Sequence, residues 1–330
     1  MYKLLYVLVC SDKDLYCEQC ILSMMSAKKN SPNAKISLLI DDVTKSCIEQ
    51  SETKKQIFNL IDELVIVPRP QGFSGMETSR FLKTSMRNHV KGDILFIDCD
   101  TIICDSLDDI VNTPFDFGAV LDQHMPFSKN THFAIAEQHV TRIAKTKEVA
   151  QYENYFNSGV LWVRETAENL KLFEDWHNTW LESRKQKIKT DQPSLAFANY
   201  KNKFIIKELN GIWNSQVWFA ANYLPKAKII HYLASITDVT GGYNRFSITL
   251  PQKIRDGIAL DSSDWELIQN ARNAFPSPNA IITGSDFEIY RSSLCGILRS
   301  LYKKRKLFNL LEKAIYYIRV FRAKILLERN

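Results

Sequence analysis

Two aspartates separated by a single residue follow a short apolar segment in the first third of the chain. Residues 92–103 read GDILFIDCDTII, in which Ile94–Ile97 predicts a buried strand and Asp98 and Asp100 come directly after it. Side chains two apart on an extended segment share one face, so the two carboxylates point the same way. Because close carboxylates repel unless a cation lies between them, the pair predicts a site for a hard divalent cation that also binds a diphosphate.

Two other interpretations of this acidic pair remain open. The acids can belong to a solvated surface turn. An apolar strand followed by DxDx is also the nucleophile motif of the haloacid dehalogenase phosphatases, although that motif normally follows the first strand of its domain. Here several predicted elements precede it, and Ser285-Asp286 is too isolated to supply the downstream acidic motif.

The elements that must position these acids alternate between strand and helix, which predicts a parallel sheet. A cluster of acids at 105–109 predicts a helix start, and residues 122–150 are polar with weak periodicity, as expected of a mobile segment or a surface excursion. The predicted strands are 3–10, 35–40, 63–67, 94–97, 115–121, 156–163 and 226–231. The predicted helices are 15–29, 44–60, 77–89 and 165–182, with a short one opening at 191–193.

Three later segments carry side chains suited to a sugar and a metal. Asn157 and Ser158 lead into an apolar strand and offer amide and hydroxyl groups to sugar hydroxyls. Asp191-Gln192-Pro193 opens a helical stretch. His231 ends the apolar run 229–230, where a histidine can bind a metal or form an ordinary hydrogen bond in the core.

The ordered set DxD, N-S-G, D-Q and strand-end histidine resembles the family 8 glycosyltransferases, the group of glycogenin and the bacterial lipopolysaccharide galactosyl- and glucosyltransferases. The resemblance covers roughly residues 2–235. It implies a GT-A fold: an α/β, Rossmann-like nucleotide-diphospho-sugar transferase with a mixed, mostly parallel sheet and flanking helices. It also implies a nucleotide-sugar donor, usually a UDP-sugar, and Mn²⁺ (or Mg²⁺) as cofactor, with retention at the anomeric carbon.

The same resemblance assigns roles to the metal-binding and catalytic residues. Asp98, Asp100 and His231 would bind the metal, and a mixed oxygen and nitrogen set suits Mn²⁺ somewhat better than Mg²⁺. Gln192 would lie beneath the anomeric carbon, and Asp191 would hydrogen-bond the sugar hydroxyls.

The donor-binding residues follow from the same comparison of motifs. Asp12 would pair with the uracil edge and Tyr16 would stack on the base, unless Asp12 is only a helix cap and Tyr16 only core. A cation on the third predicted helix, 77–89, would face the donor, unless it pairs with Glu77. The implied donor-binding set is Asp12, Tyr16, Arg80 with Lys83 as its rival, Asp98, Cys99, Asp100, Asn157 and Ser158.

The segment after His231 departs from the family pattern. The family usually has a glycine three residues after this histidine and then a lysine that contacts the diphosphate. This chain reads HYLASITD at 231–238, with neither residue in place. Gly241-Gly242 and Arg245 are the candidates to replace them through a longer loop.

Composition indicates a globular protein with a reduced, cytoplasmic setting. The chain has 330 residues, of which 45% are hydrophobic and 24% charged, and its seven cysteines include no second pair to complete a zinc site with Cys17 and Cys20. The N-terminal apolar run is short and predicts a first strand rather than a signal sequence, and no stretch of 18 apolar residues predicts a membrane span. We expect a catalytic domain at 1–250, a connecting region at 251–290 and a tail at 291–330.

The last 40 residues predict basic amphipathic helices. Eleven Lys and Arg against two Glu give residues 291–330 a net charge of +9, and apolar residues recur at spacings of four and three from Leu307 to Ile325. This pattern favours an anionic membrane surface, which would make the protein peripheral on the inner face of the cell membrane. Packing on the core or on a dimer partner is the alternative, and nucleic-acid binding is not expected because no nucleic-acid module accompanies the tail.

The leading hypothesis is therefore a metal-dependent retaining hexosyltransferase that acts on a saccharide or lipid-linked saccharide in surface polysaccharide or lipopolysaccharide synthesis. The second is a metal-dependent nucleotidyltransferase or phosphatase that uses Asp98 and Asp100. The third is a non-catalytic nucleotide-sugar-binding protein.

Overall fold

A mixed seven-stranded sheet forms the centre of the molecule. The structure, a computed structural model, describes residues 2–130, 133–217, 219, 222–233, 245–273, 288–289 and 292–327. The seven strands have the order β3-β2-β1-β4-β7-β6-β8, with β7 antiparallel to both of its neighbours, and β5, β10 and β9 form a smaller sheet. The strands are β1 (Lys3–Leu8), β2 (Lys35–Asp41), β3 (Glu63–Val67), β4 (Ile94–Ile97), β5 (Thr101–Ile103), β6 (Phe117–Leu121), β7 (Phe156–Val163), β8 (Lys207–Glu208), β9 (Ser215–Gln216) and β10 (Ile229–His231).

Helices cover the large sheet because its central strands are apolar on both faces. Alternate residues of β1 enter two different core clusters: Leu4 and Tyr6 lie in one, Leu5 and Val7 in the other. The helices are α1 (Tyr16–Asn30), α2 (Asp42–Glu49), α3 (Glu52–Lys55), α4 (Gly75–His89), α5 (Phe133–Ala144), α6 (Ala167–Lys185), α7 (Gln192–Lys201), α8 (Leu250–Arg255), α9 (Ser262–Gln269), α10 (Ser293–Tyr302) and α11 (Arg305–Leu327). The predicted α/β fold with a mostly parallel sheet is confirmed.

Three local predictions differ from the structure. The single helix expected at 44–60 is divided into α2, α3 and a 3₁₀ turn, because the Ser51 hydroxyl accepts the Lys54 N–H and starts a new helix. The acids at 105–109 do not cap a helix, since a 3₁₀ turn spans Asp108–Asn112 and Asp105 pairs with Arg272. The polar segment 122–150 contains α5.

Strand pairing brings the separated motifs to one edge of the sheet. Ile97, the last residue of β4, pairs with Val160 of β7, so the beginning of β7 lies beside the residues that follow β4. In the small sheet His231 pairs with Thr101, and the Tyr232 N–H donates to the Asp100 carbonyl at 3.1 Å. This register places the end of β10 next to the two aspartates.

The segment after residue 244 returns to the body of the protein. A π-helical turn at Arg245–Thr249 and helix α8 lie against α1, and Phe246, Leu250 and Ile254 join the core cluster that contains α1. Much of the connecting region expected at 251–290 therefore packs on the sheet domain where the structure describes it. In the described part of the chain, none of the helices combines the length and the apolar character needed to cross a bilayer.

Candidate functional site

A cavity of about 820 Å³ opens where β1 and β4 end and β7 begins. Its lining brings together all twelve residues assigned to the donor, metal and catalytic sites, although these residues come from six separate segments. They are Asp12, Tyr16, Arg80, Lys83, Asp98, Cys99, Asp100, Asn157, Ser158, Asp191, Gln192 and His231.

Asp98, Asp100 and His231 form a candidate metal centre. One possible ligand atom from each lies within 4.8 Å of the others, and His231 Nε2 is 3.2 Å from Asp100 Oδ1. Burial raises the pKa of Asp98, and Asp100 adds to that effect against the opposing charge of Lys83. Burial alone would lower the pKa of His231, but the Asp100 carboxylate outweighs it, and the pKa is raised. Two carboxylates and an imidazole in this arrangement fit a divalent cation.

Gly159 leaves the space that the histidine ring occupies. A Cβ added there would lie 2.4 Å from His231 Cε1 and 2.9 Å from Asp98 Oδ2. The Gly159 carbonyl also accepts the Asp98 N–H at 2.8 Å. The glycine that follows Asn157-Ser158 is thus a packing requirement of the candidate metal centre.

Two cations from α4 lie beside the acids. Lys83 Nζ, almost fully buried, is 3.1 and 3.2 Å from the two Asp98 carboxylate oxygens and 3.7 Å from Asp191. Arg80 Nε is 3.0 Å from Asp191 and does not pair with Glu77, whose partners are Arg184 and Lys189. Arg80 and Lys83 therefore both contact the acidic cluster.

Asp191 is buried between these cations at the start of α7. Burial raises its pKa, but Lys83, Arg80 and a hydrogen bond from Ser158 together bring the pKa below its usual value. The Ser158 hydroxyl donates to Asp191 Oδ2 at 2.7 Å. Gln192 donates through Nε2 to the Phe156 carbonyl at 3.3 Å, and within the described residues its Oε1 has no hydrogen-bond partner. That oxygen is therefore free to face a substrate in the cavity.

Asp12 and Tyr16, which line the same cavity, are both exposed. Asp12 is not a helix cap: Asp14 accepts the N–H groups of Ser11 and Tyr16, whereas Asp12 pairs with the buried Lys54 at 2.7 Å. The hydrogen bond from Lys54 lowers the pKa of Asp12. Tyr16 is 45% exposed and so is not a core residue. Both side chains are accessible to a ligand.

Several residues of the site were not predicted from the sequence. Lys54, which holds Asp12, lies in a short helix without a motif. Asp122 follows β6 and accepts from Asn157 at 2.9 Å, and Asn214 contacts His231. An acid directly after an apolar strand was a usable signal for Asp122, whereas nothing local identified Lys54.

Of the residues expected to replace the missing glycine and lysine, the structure describes only Arg245. Arg245 lies 3.9 Å from Asp264 and is not among the residues that line the cavity. Gly241 and Gly242 lie outside the described residues.

One comparison with known proteins identifies a family. The sequence model of "Glycosyl transferase family 8" matches residues 7–236. No curated protein matches the chain.

Several solved structures are similar to this one. Mouse xyloside xylosyltransferase 1 in its apo form has a TM-score of 0.45 at 12% identity, covering 70% of this chain and 97% of that chain. The galactosyltransferase LgtC, in complex with donor and acceptor sugar analogues, has a TM-score of 0.49 at 14% identity, covering 81% and 100%. The glycosyltransferase GlyE of Streptococcus pneumoniae TIGR4 has a TM-score of 0.47 at 17% identity, covering 86% and 67%. At these TM-scores the likenesses do not by themselves define a substrate.

Proposed function

This chain belongs to glycosyltransferase family 8, and on that premise we propose that it transfers a hexose from a UDP-sugar to a saccharide or lipid-linked saccharide with retention at the anomeric carbon. The glycosyltransferase activity follows from the family. The donor, the metal, the stereochemistry and the acceptor are the parts that we propose.

The observation that carries the proposal is the single cavity in which the acids, the cations and the amide of Gln192 meet. Its volume of about 820 Å³ is in the range of small-molecule sites. The cavity contains two groups of residues that suit a nucleoside diphosphate. Asp98, Asp100 and His231 suit a metal-bound diphosphate, and the exposed Asp12 and Tyr16 suit the base. A phosphatase would not need the second group.

Asp98, Asp100 and His231 would hold Mn²⁺ or Mg²⁺, and the imidazole nitrogen favours Mn²⁺. When bound, the cation supplies Lewis-acid neutralisation of the charge on the diphosphate leaving group.

The protein side chains supply the remaining stabilisation. Lys83 and Arg80 are cations already oriented by Asp98 and Asp191, so they are positioned to attract an anionic donor without rearrangement. Asp191, held by Ser158, would accept hydrogen bonds from sugar hydroxyls. Gln192 Oε1 would stabilise positive charge at the anomeric carbon, because a carboxamide is polar but a poor nucleophile.

Retention follows if the departing phosphate oxygen takes the proton of the acceptor on the same face of the sugar. NMR analysis of the anomeric configuration of the product tests this point. An inverted linkage would refute the proposed stereochemistry.

A screen for UDP release across nucleotide-sugars with Mn²⁺ tests the proposed function. We expect one UDP-sugar to be turned over, and the double variant Asp98→Asn, Asp100→Asn to lose at least about 10²-fold in rate, in line with the loss of one strong electrostatic element. The matched control is Asp105→Asn, Asp108→Asn, which changes two acids outside the cavity lining. Release of pyrophosphate or inorganic phosphate in place of UDP would overturn the proposal.

The tail supports a lipid-linked acceptor at the cytoplasmic face of a membrane. On α11 large apolar side chains are exposed, among them Leu307, Leu310, Ile318 and Phe321. They accompany the net charge of +9 in residues 291–330. Deletion of residues 295–330 should abolish binding to liposomes that contain acidic lipid and leave transfer to a water-soluble acceptor intact. Unchanged liposome binding would contradict the proposed association of the tail with a membrane.

A further inference from the structure

A buried series of hydrogen bonds connects Asp122 to the candidate metal centre. Asn157 Nδ2 donates to Asp122 Oδ1 at 2.9 Å, and Asn214 Nδ2 donates to Asn157 Oδ1 at 2.9 Å. Asn214 Oδ1 lies 3.1 Å from His231 Nδ1. The opposite ring nitrogen, Nε2, faces Asp100. Asn157, Asn214 and His231 are all at least nine-tenths buried, so water does not compete for these contacts.

Groups of fixed polarity at one end determine the direction of the whole series. An ionised carboxylate only accepts and a backbone N–H only donates, so Asp122 and the Gly159 N–H, which donates to Asn157 Oδ1 at 2.9 Å, fix the orientation of the Asn157 amide. Asn157 Oδ1 must then accept from Asn214 Nδ2. The Asn214 carbonyl oxygen is thereby turned toward the histidine ring.

An acceptor oxygen at 3.1 Å requires a proton on His231 Nδ1. Without that proton, two lone pairs would face each other in a buried site, where an unsatisfied polar contact is costly. Asp100 pulls in the other direction, because its carboxylate lies 3.2 Å from Nε2, but that side chain is 21% exposed and can be hydrated, whereas the Asn214 oxygen is fully buried and would lose its partner. A neutral imidazole carries only one proton, so the two acceptors compete for it.

We propose that Asn214 is a positioning residue that holds the neutral His231 ring in its Nδ1-protonated form and so keeps the Nε2 lone pair directed toward Asp98 and Asp100. A metal-binding histidine needs this form, since the coordinating nitrogen must be unprotonated. The importance of this tautomer for catalysis rests on the proposed metal dependence. The assignment of the tautomer itself does not rest on it.

The first test is nitrogen-15 NMR of the histidine rings in the full chain without metal, at a pH high enough for His231 to be neutral. We expect the proton on Nδ1 in the wild type. Asn214→Leu should move it to Nε2, because the competing acceptor is gone. Asn214→Asp keeps an oxygen facing the ring and should retain the Nδ1 proton.

The second test is Mn²⁺ binding in the absence of nucleotide-sugar, measured from the electron paramagnetic resonance signal of the free ion. Asn214→Leu should weaken Mn²⁺ binding about 10- to 100-fold, the usual effect of removing a partner of a metal ligand. Asn214→Asp keeps the acceptor that faces Nδ1 but loses the donor to Asn157 Oδ1, so it should bind Mn²⁺ more tightly than Asn214→Leu. The control is Asn199→Leu, which removes another buried asparagine, one that accepts from the Ile206 N–H away from the cavity lining.

A proton on Nε2 of the neutral wild-type ring would overturn the proposal without any variant. So would an Asn214→Leu protein with unchanged tautomer and unchanged Mn²⁺ affinity. If the wild type showed the Nδ1 proton but bound no Mn²⁺, the role of Asn214 would stand and the proposed metal dependence would fail.

Discussion

Gly159 shows how one missing side chain can shape a site. The His231 ring occupies the volume in which a Cβ at residue 159 would lie, and Asp98 borders the same volume. Alanine at this position is compatible with a strand but not with the ring. The glycine therefore serves the geometry of the acids and the imidazole more than the conformation of β7.

Gly159→Ala should weaken Mn²⁺ binding at least about 10-fold, because either His231 or Asp98 must move by several tenths of an ångström or more. Titration of Mn²⁺ into the purified variant measures this. Gly75→Ala is the matched control, since its Cβ would make an ordinary contact of 3.8 Å with Val9, and its Mn²⁺ affinity should be that of the wild type. Equal affinities in the two variants would contradict the packing argument.

At the scale of elements, α4 is the helix that delivers both cations to the cavity. Arg80 and Lys83 are three residues apart and so share one face of the helix. Its first turn is held by a capping box between Ser74 and Glu77. Glu77 also pairs with Arg184 at the end of α6, at 2.9 Å. The Glu77 carboxylate thus stabilises the first turn of α4 and holds α4 against α6, the helix that precedes Asp191.

Glu77→Gln should lower the free energy of unfolding at pH 7 by about 2 kcal/mol, the range for a hydrogen bond that involves a charged group. The hydroxyl and the backbone N–H of Ser74, with help from Lys189 and Arg184, lower the pKa of Glu77 from 4.5 to about 2. A depressed carboxyl pKa gives stability that is present above pH 4.5 and is lost as the pH falls toward 2.

Urea unfolding of wild type and variant between pH 7 and pH 3 measures this dependence, and the difference between them should shrink as the pH falls. Glu182→Gln, which removes an exposed pair with Lys185, is the control and should change stability little at any pH. A difference that stayed constant with pH would show that the Glu77 charge is not responsible.

At the scale of the whole molecule, the segment 245–273 completes the domain. Gln19 of α1 donates to the Ser247 carbonyl at 2.9 Å, and Arg255 of α8 pairs with the buried Glu18 at 3.0 Å. Leu250 is fully buried in the same region. The sheet domain therefore depends on residues that follow all of the sequence motifs.

Leu250→Ala should destabilise the protein by about 2–5 kcal/mol, as expected for a fully buried leucine that leaves a cavity. Ile258→Ala is its control: Ile258 is 53% exposed, and the change should be within about 0.5 kcal/mol. Chemical denaturation of both variants checks the pair. A negligible loss in Leu250→Ala would mean that this segment does not contribute to the stability of the domain.

The sequence by itself determined six of the seven strands of the large sheet, the order of the motifs and twelve of the residues that line the cavity. Strands β3, β4 and β7 were predicted with their observed bounds, because continuous apolar runs flanked by polar residues are a local signal. The helix over 44–60 was interrupted by a cap at Ser51, and α5 was hidden by the weak periodicity of its surroundings. Local signals of this kind fix the type of an element better than its limits.

Tertiary structure decided which of these residues meet. The pairing of His231 with Thr101 joins segments 130 residues apart, and no local pattern contains that register. Three other features likewise depend on side chains that are close only after folding. They are the partners of Asn214, the pairing of Lys54 with Asp12 and the burial of Asp191 between two cations. Sequence records which groups are present, whereas distances, burial and hydrogen-bond direction arise from contacts between distant parts of the chain.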